Sequence, residues 1–378
     1  MVRRRGRGIN AMRVVHVVTR TGTYGGERFV PSLARAQRAC GIDASIATIY
    51  DSADAAYGVP VYSAGRGTRP GFFFRLSDHL RHSDADVIHT HLAHAKVWGR
   101  LAAVASKGVP LVHTEHGNDF GGSLAYRTLE RILDARTCRI VAFSQTHAAR
   151  IAQLEGFAKE RIAIVPNGID LAENGGTRAA ARRALGARAD ERIVLFVGRL
   201  DPVKQPVLMV EAFALLVPSH RCLLRFAGDG ILRDAVAARA RELGIEDRVG
   251  FLGYRTDVAE LLAGADAVAN TSSTEAMPLS IVEALCAGVP VCTAPWPGAG
   301  ELVADRGVVS AGYASNEIAA ALECALRISR LESGPRLEEI HERFAISRSA
   351  RAHLRLYESL LRQDETGVRR DRRRRGAP

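Results

Sequence analysis

Short apolar runs and amphipathic stretches alternate along almost the whole chain. In the first half, "MRVVHVVT", "DASIATIY", "DVIHTH", "PLVHTEH", "RIVAFS" and "RIAIVP" carry the β-branched enrichment of strands. The second half repeats the signal in "RIVLFVG", "CLLRFAG", "RVGFLG", "AVANTS" and "VPVCTA". Helical spacing predicts helices over 26–40, 93–107 and 145–154, then over 206–217, 231–243, 257–263 and 278–287. Apolar strands joined by helical crossovers imply parallel sheets covered on both faces. Each half therefore reads as a doubly wound α/β domain, with the polar stretch "LAENGGTRAA", 171–180, as the linker. Ligands of such sheets bind beyond the carboxyl ends of the strands, so two facing domains are expected to hold theirs in the cleft between. The unusual residues follow strand ends: Gly25 and Gly26, His116, Arg199 and Glu275.

A length of 378 residues allows two domains with a core each. Hydrophobic residues at 47% and charged ones at 25% describe an ordinary globular protein. No apolar run approaches the roughly eighteen residues of a membrane span, and the run at 14–18 is too short for a signal peptide, so a cytoplasmic location is expected. Six scattered cysteines without C-x-x-C spacing predict buried, reduced thiols. The net charge of +11 invites nucleic acid until it is located. Arg3, Arg4, Arg5 and Arg7 supply +4, and six arginines against Asp371 in 367–378 supply +5. Both ends lack apolar periodicity and are expected to be disordered, over 1–11 and 363–378. With the charge in the tails and aromatics at 6%, a nucleic-acid partner is excluded. Peripheral contact with an anionic membrane remains open to such tails.

The stretch "STEAMPLSIVEALCAGVP", 273–290, has only two charges, Glu275 and Glu283. Pro278 suits a first helical turn, and Gly288 and Pro290 end the helix. Glu275 then precedes the helix and Glu283 projects from its second turn. An anion at the helix start would meet backbone N–H groups, with two carboxylates beside it to grip hydroxyls. A capping box at Ser280 and Glu283 is the competing structural explanation. In "VGRLDPVKQP", Arg199 stands at a strand mouth and Lys204 lies just ahead of a helix opened by Pro206. Two such cations suit a diphosphate. "TGTYGGERF" sets Gly25 and Gly26 before a helix without forming G-x-G-x-x-G, and no P-loop motif occurs. His89, His91, His94, His113, Glu115, His116 and Asp119 crowd two neighbouring segments, yet no H-E-x-x-H frame exists. Hydrogen-bonded histidines around a cleft are expected in preference to a metal, with His116 best placed to face a substrate.

"YGGER", "VIHTH", "HTEHG", "VPNGID", "FVGRLDPVKQ", "FAGDG", "FLGYRTDV" and "STEAMPLSIVEALCAGVPVCTAPWPGAGELV" follow one another as in the family 4 glycosyltransferases. The resemblance spans roughly 12–362, and Glu-x7-Glu at Glu275 and Glu283 is its most specific element. It implies the GT-B fold, two Rossmann-like domains facing across a cleft. The implied parts are an acceptor-side domain over 12–172, a nucleotide-sugar domain over 173–345, and a helix over 346–362 crossing back to the first. It implies transfer of a sugar from a nucleotide donor (UDP, GDP or ADP type) with retention, and no metal or other cofactor. Arg199 and Lys204 would hold the leaving diphosphate, with Gly25 and Gly26 against it and the amides of Met277 and Leu279 as further donors. Glu275 and His116 would contact the donor sugar, and Glu283 the ribose. The acceptor would be a saccharide or a lipid-linked saccharide in polysaccharide or lipopolysaccharide synthesis. A GT-B-fold sugar-nucleotide epimerase is the alternative. Ala276 and Gln205-Pro206 replace glycines usual in the family, so a change of loop shape is expected at both places, and the prolines and Trp296 of the "APWPGAGELV" segment also depart from the family pattern.

Overall fold

The computed structural model describes residues 12–375 apart from 23–24, 51–57, 66–70, 105, 107, 118–123 and 172–175. The expected disorder of 1–11, and Tyr24 and Asp119, lie outside these residues. The chain divides into two units, Met1–Gly168 with Ile346–Pro378, and Ile169–Ala345.

The first unit holds a sheet of seven parallel strands: β1 (Arg13–Val18), β2 (Asp43–Thr48), β3 (Val61–Ser63), β4 (Val87–His91), β5 (Leu111–Thr114), β6 (Arg139–Ala142) and β7 (Ile162–Ile164). Their order is β3-β2-β1-β4-β5-β6-β7, so the winding reverses between β1 and β4. The second unit repeats the plan with β8 (Arg192–Val197), β9 (Cys222–Ala227), β10 (Val249–Gly253), β11 (Ala267–Asn270), β12 (Val291–Thr293) and β13 (Gly307–Val309), ordered β10-β9-β8-β11-β12-β13. Here the reversal falls between β8 and β11. Every strand pair in both sheets is parallel. Both units are therefore Rossmann-like, the GT-B class of α/β architecture. A reversal of strand order opens a crevice beyond the strand ends, and the candidate residues gather there in each unit.

The apolar runs become strands because both faces are covered: Val14, Val17, Val194 and Leu195 are fully buried. β3 and β13 escaped the sequence reading because three half-buried residues carry no periodicity. The helix expected over 93–107 is broken into Leu92–His94, a π turn Ala95–Gly99 and Arg100–Ala103. Gly99 packs so closely that a Cβ there would lie 3.0 Å from Val17 Cγ1. The 363–378 tail, expected to be disordered, continues the Ile346–Arg375 helix as far as Arg375. Elongating a helix already anchored by packed turns avoids the nucleation cost, and the six arginines and Gln363 among the added residues are good helix formers. All six cysteines are free; Cys222, Cys286 and Cys292 are buried as expected, whereas Cys324 is exposed. No helix among the described residues is long and apolar enough to cross a membrane.

Candidate active site

In the second unit Lys204 and Glu275 meet in an ion pair, which joins the loop after β8 to the loop after β11. Ser272 Oγ donates to the same carboxylate oxygen at 2.6 Å, and Asn270 Nδ2 stands 3.5 Å from it. Arg199 pairs with Asp201 at 2.9 Å, and the other Asp201 oxygen accepts the Lys204 amide at 3.0 Å. Asp201 thus braces both cations of the loop. Thr271 Oγ1 adds a bond to the Lys204 carbonyl, 2.9 Å away. The β9 loop closes up beside them, since a Cβ on Gly228 would stand 1.9 Å from Gly198 O. The helix after Glu275 runs Leu279–Cys286, with Pro278 as an N-cap that makes no side-chain cap. Ser280 lies inside this helix, so the capping-box explanation of Glu283 does not hold. Glu283 is half-buried, three residues and so about one turn before the terminal Cys286, whose thiol is pushed up to about 12 by burial and then by this carboxylate.

The departures from the family pattern have separate explanations. Gln205 adopts φ 47° and ψ 53°, a conformation that suits glycine, and its buried Oε1 lacks a partner among the described residues. The loop has kept the glycine-like path without the glycine. Gln205→Gly is therefore expected to raise the unfolding free energy of this unit by about 1 kcal/mol, read from chemical denaturation. Ala276 has no positive φ, so its methyl group brings no backbone strain. Trp296 is a core residue, 2% exposed, whose indole N–H donates to Thr293 Oγ1 at 2.8 Å.

In the first unit the strand ends bring histidines together. His16 on β1 and His89 and His91 on β4 are fully buried. Each offers a nitrogen within 4.8 Å of the others, a spacing compatible with a metal ion, but every one of those nitrogens also takes part in a hydrogen bond. Burial disfavours imidazolium and lowers His16 to about 4 and His116 to about 3, with His89 and His91 also well below the usual range. His116 lies against the start of the Gly25–Ala39 helix: a Cβ on Gly26 would be 3.1 Å from its Nδ1 and 2.5 Å from Leu92 Cδ2. Gly25, at φ 30°, opens that helix. His94 is exposed and meets the Tyr50 ring instead, their centroids 5.6 Å apart.

Lys96, on the π turn, is buried among three carboxylates: Glu115 at 2.7 Å, Glu130 at 3.2 Å, and Glu155. Burial disfavours its ammonium, but Glu115 and Glu155 outweigh that and hold Lys96 above its ordinary value. One cation cannot neutralise all three. Burial and Glu115 push the Glu155 carboxyl up to about 7, while Lys96 and His113 overcome burial to keep Glu115 well below the carboxylate range. Glu115 also accepts the Gly117 amide at 3.1 Å, which ties this cluster to the His116 turn.

The sequence-predicted residues thus form two groups, one in each unit. Gly25, Gly26 and His116 meet in the first; Arg199, Lys204, Glu275, Met277, Leu279 and Glu283 occupy the loops after β8 and β11 and the following helix. Sequence reasoning missed Asp201, Asn270 and Ser272 in the second unit, and His16, Gln37 and Tyr357 in the first. "ANTSSTE" signalled Asn270 and Ser272 by polar residues at a strand end. Nothing local marks Gln37 or Tyr357, because their partners stand far away in the chain.

Two family patterns match: "Glycosyltransferase Family 4" over residues 23–173 and "Glycosyl transferases group 1" over 177–342. A D-inositol 3-phosphate glycosyltransferase of Mycobacterium tuberculosis is 34% identical over 66% of this chain and 55% of its own length. The chain therefore spans about half the length of the curated relatives it matches. Among solved structures, sucrose-phosphate synthase from Thermosynechococcus elongatus superposes with a TM-score of 0.79 at 20% identity, covering 93% of this chain and 100% of that one. Anabaena Alr3699/HepE in complex with UDP and glucose gives 0.77 at 22%, covering 92% and 100%. These structural likenesses show the fold. With both family patterns falling on the two Rossmann-like units, the chain belongs to the family 4, group 1 glycosyltransferases.

Proposed function

We propose that this chain is a retaining glycosyltransferase that moves a sugar from a nucleotide donor to a saccharide or lipid-linked acceptor in cell-surface polysaccharide synthesis. The observation that carries the reading is the grouping of Arg199, Lys204 and Glu275 at the switch point of the second sheet, beside a helix start that lacks a side-chain cap. A departing nucleoside diphosphate gains negative charge as the glycosidic bond breaks. Cations and a helix N-terminus already in place stabilise that charge without reorganisation. Glu275 then contacts the donor sugar, Glu283 the ribose and His116 a sugar hydroxyl. UDP, present with glucose in one structural neighbour, heads the list of donors to try. Titration against a panel of nucleoside diphosphates and their sugars is the test. Binding of none would end the reading, and release of free sugar without an acceptor would mark the epimerase chemistry instead.

The cations do the work that a metal performs elsewhere, so turnover is expected to persist in excess chelator. Asp84 and Asp86, an Asp-x-Asp spacing just before β4, both engage Arg13, at 3.3 and 2.9 Å. Activity that chelator abolishes and manganese or magnesium restores would refute metal independence.

A lipid-linked acceptor would meet the first unit at an aromatic group beside the ends of β2 and β4. Phe74 is 72% exposed and Trp98 42%, with Phe72 and Phe73 packed edge-on against Trp98. Together with the basic tails, this surface suits an anionic membrane at its cytoplasmic face. Removing residues 1–11 and 367–378 is expected to weaken binding to anionic vesicles, most at low salt, while turnover on a soluble acceptor analogue persists. Equal vesicle binding by the trimmed and full chains would refute the tether.

A further inference from the structure

Three imidazoles of the first unit form one line of hydrogen bonds. Gln37 Oε1 stands 2.7 Å from His16 Nε2, His16 Nδ1 stands 2.9 Å from His91 Nε2, and His91 Nδ1 stands 3.1 Å from His116 Nε2. A neutral imidazole has one N–H and one lone pair, so each ring passes the direction of its bond to the next. The Gln37 oxygen can only accept. His16 therefore carries its proton on Nε2, His91 on Nε2 and His116 on Nε2, which leaves a lone pair at His116 Nδ1. A side branch agrees with this direction. Gln37 Nε2 donates to Tyr357 Oη at 3.3 Å, the Tyr357 hydroxyl donates to His89 Nδ1 at 2.6 Å, and His89 Nε2 donates to Thr114 Oγ1 at 2.7 Å. Each gap then holds one hydrogen. Turning the Gln37 amide over would reverse every bond of both branches, so that amide is where the direction is set.

The far end of the line opens toward the glycine-led helix. His116 Nδ1 is the atom that a Cβ on Gly26 would approach, and among the described residues it has no hydrogen-bond partner. We propose that Gln37, His16 and His91 are positioning residues that hold His116 as the Nε2–H tautomer, so that its Nδ1 accepts from a ligand hydroxyl and rejects a phosphate oxygen. This rests on the reading that His116 meets the donor sugar. It adds that the contact selects a sugar bearing a hydroxyl at that point.

The tautomer is tested in the free protein by long-range proton–nitrogen spectra of 15N-histidine-labelled chain, with His116 assigned by its loss in His116→Ala. An unprotonated Nδ1 and a protonated Nε2 are expected; the reverse pattern would overturn the proposal. Gln37→Leu is expected to turn the His116 signals into a tautomer mixture, whereas Tyr357→Phe, which removes the two buried hydrogen bonds of the side-branch hydroxyl but leaves the Gln37 oxygen on His16, leaves them as they are. A His116 signal unmoved by Gln37→Leu would also overturn it. With a donor identified, replacing each sugar hydroxyl singly by fluorine is expected to lower kcat/KM about tenfold at one position in the parent, and not in His116→Ala. Equal losses in both would reject the hydroxyl contact while leaving the transferase reading intact. Failure to bind any nucleotide sugar would reject the transferase reading while the free-protein tautomer stood.

Discussion

Acidified from pH 7, the first unit is expected to lose its fold between about pH 6 and pH 5, before most of its carboxylates protonate. Burial lowers His16, His113, His147 and His353 to about 4 and His116 to about 3, and depresses His89 and His91 as well. In the unfolded chain all seven take up protons near their ordinary value of 6.5. Their contribution is complete above that value and is lost as pH falls toward the folded-state values, because the unfolded chain binds more protons throughout that window. Each histidine costs about 1.4 kcal/mol per pH unit, or about 2 kcal/mol by pH 5. Seven such losses are comparable with the whole stability of an ordinary domain, about 5–15 kcal/mol. Glu155 opposes them: raised to about 7, it favours the fold below its unfolded value of 4.5 and loses that contribution as pH rises to about 7. One carboxyl does not offset seven imidazoles. Hydrogen exchange followed by peptide across pH 7 to 5 would resolve the two units. Unchanged protection in the first unit over that range would refute the prediction.

Removing the Lys204 ammonium is expected to cut kcat/KM for the donor by about 10²–10³-fold, the loss typical of a group that meets charge developing in the transition state. Lys204→Ala acts on the leaving diphosphate, so kcat should fall along with donor affinity. Glu283→Ala should chiefly weaken donor affinity, since a ribose contact is similar before and during reaction. Glu275→Ala should depress kcat as well as affinity. The structure alters one part of this expectation. Glu275, read from sequence as a loop carboxylate free to grip ligand hydroxyls, is only 13% exposed and is engaged with Lys204, which is 17% exposed, and with Ser272. Its truncation leaves a half-buried ammonium without that partner, and should cost about 1–3 kcal/mol of stability where Glu283→Ala costs less. Steady-state kinetics and melting temperatures of the three variants check this. Parent-like turnover by Lys204→Ala would reject the diphosphate assignment.

Much of the architecture was legible in the sequence because parallel strands buried on both faces read as continuous apolar runs, whatever packs against them. The eleven runs marked as strands all became strands, at nearly the expected bounds. The loop residues Gly25, His116, Arg199 and Glu275 stood out for a related reason, since a charged, ring-bearing or side-chain-free residue directly after such a run interrupts its pattern. Edge strands β3 and β13 were too short for their pattern to register. The π turn at Ala95–Gly99 depends on Gly99 meeting Val17 and Lys96 meeting Glu115, contacts that local periodicity does not encode. Gln205 looked like a change of loop shape, yet the backbone kept its left-handed conformation, held by its neighbours through Thr271. Tertiary structure alone decided the histidine line. His16 and His91 are 75 residues apart, and Gln37 and Tyr357 are 320 apart, so only the winding of the sheet and the return of the last helix bring them within a hydrogen bond. The chemistry of each ring was written in the chain, but which of its nitrogens carries the proton was settled by partners that only folding supplies.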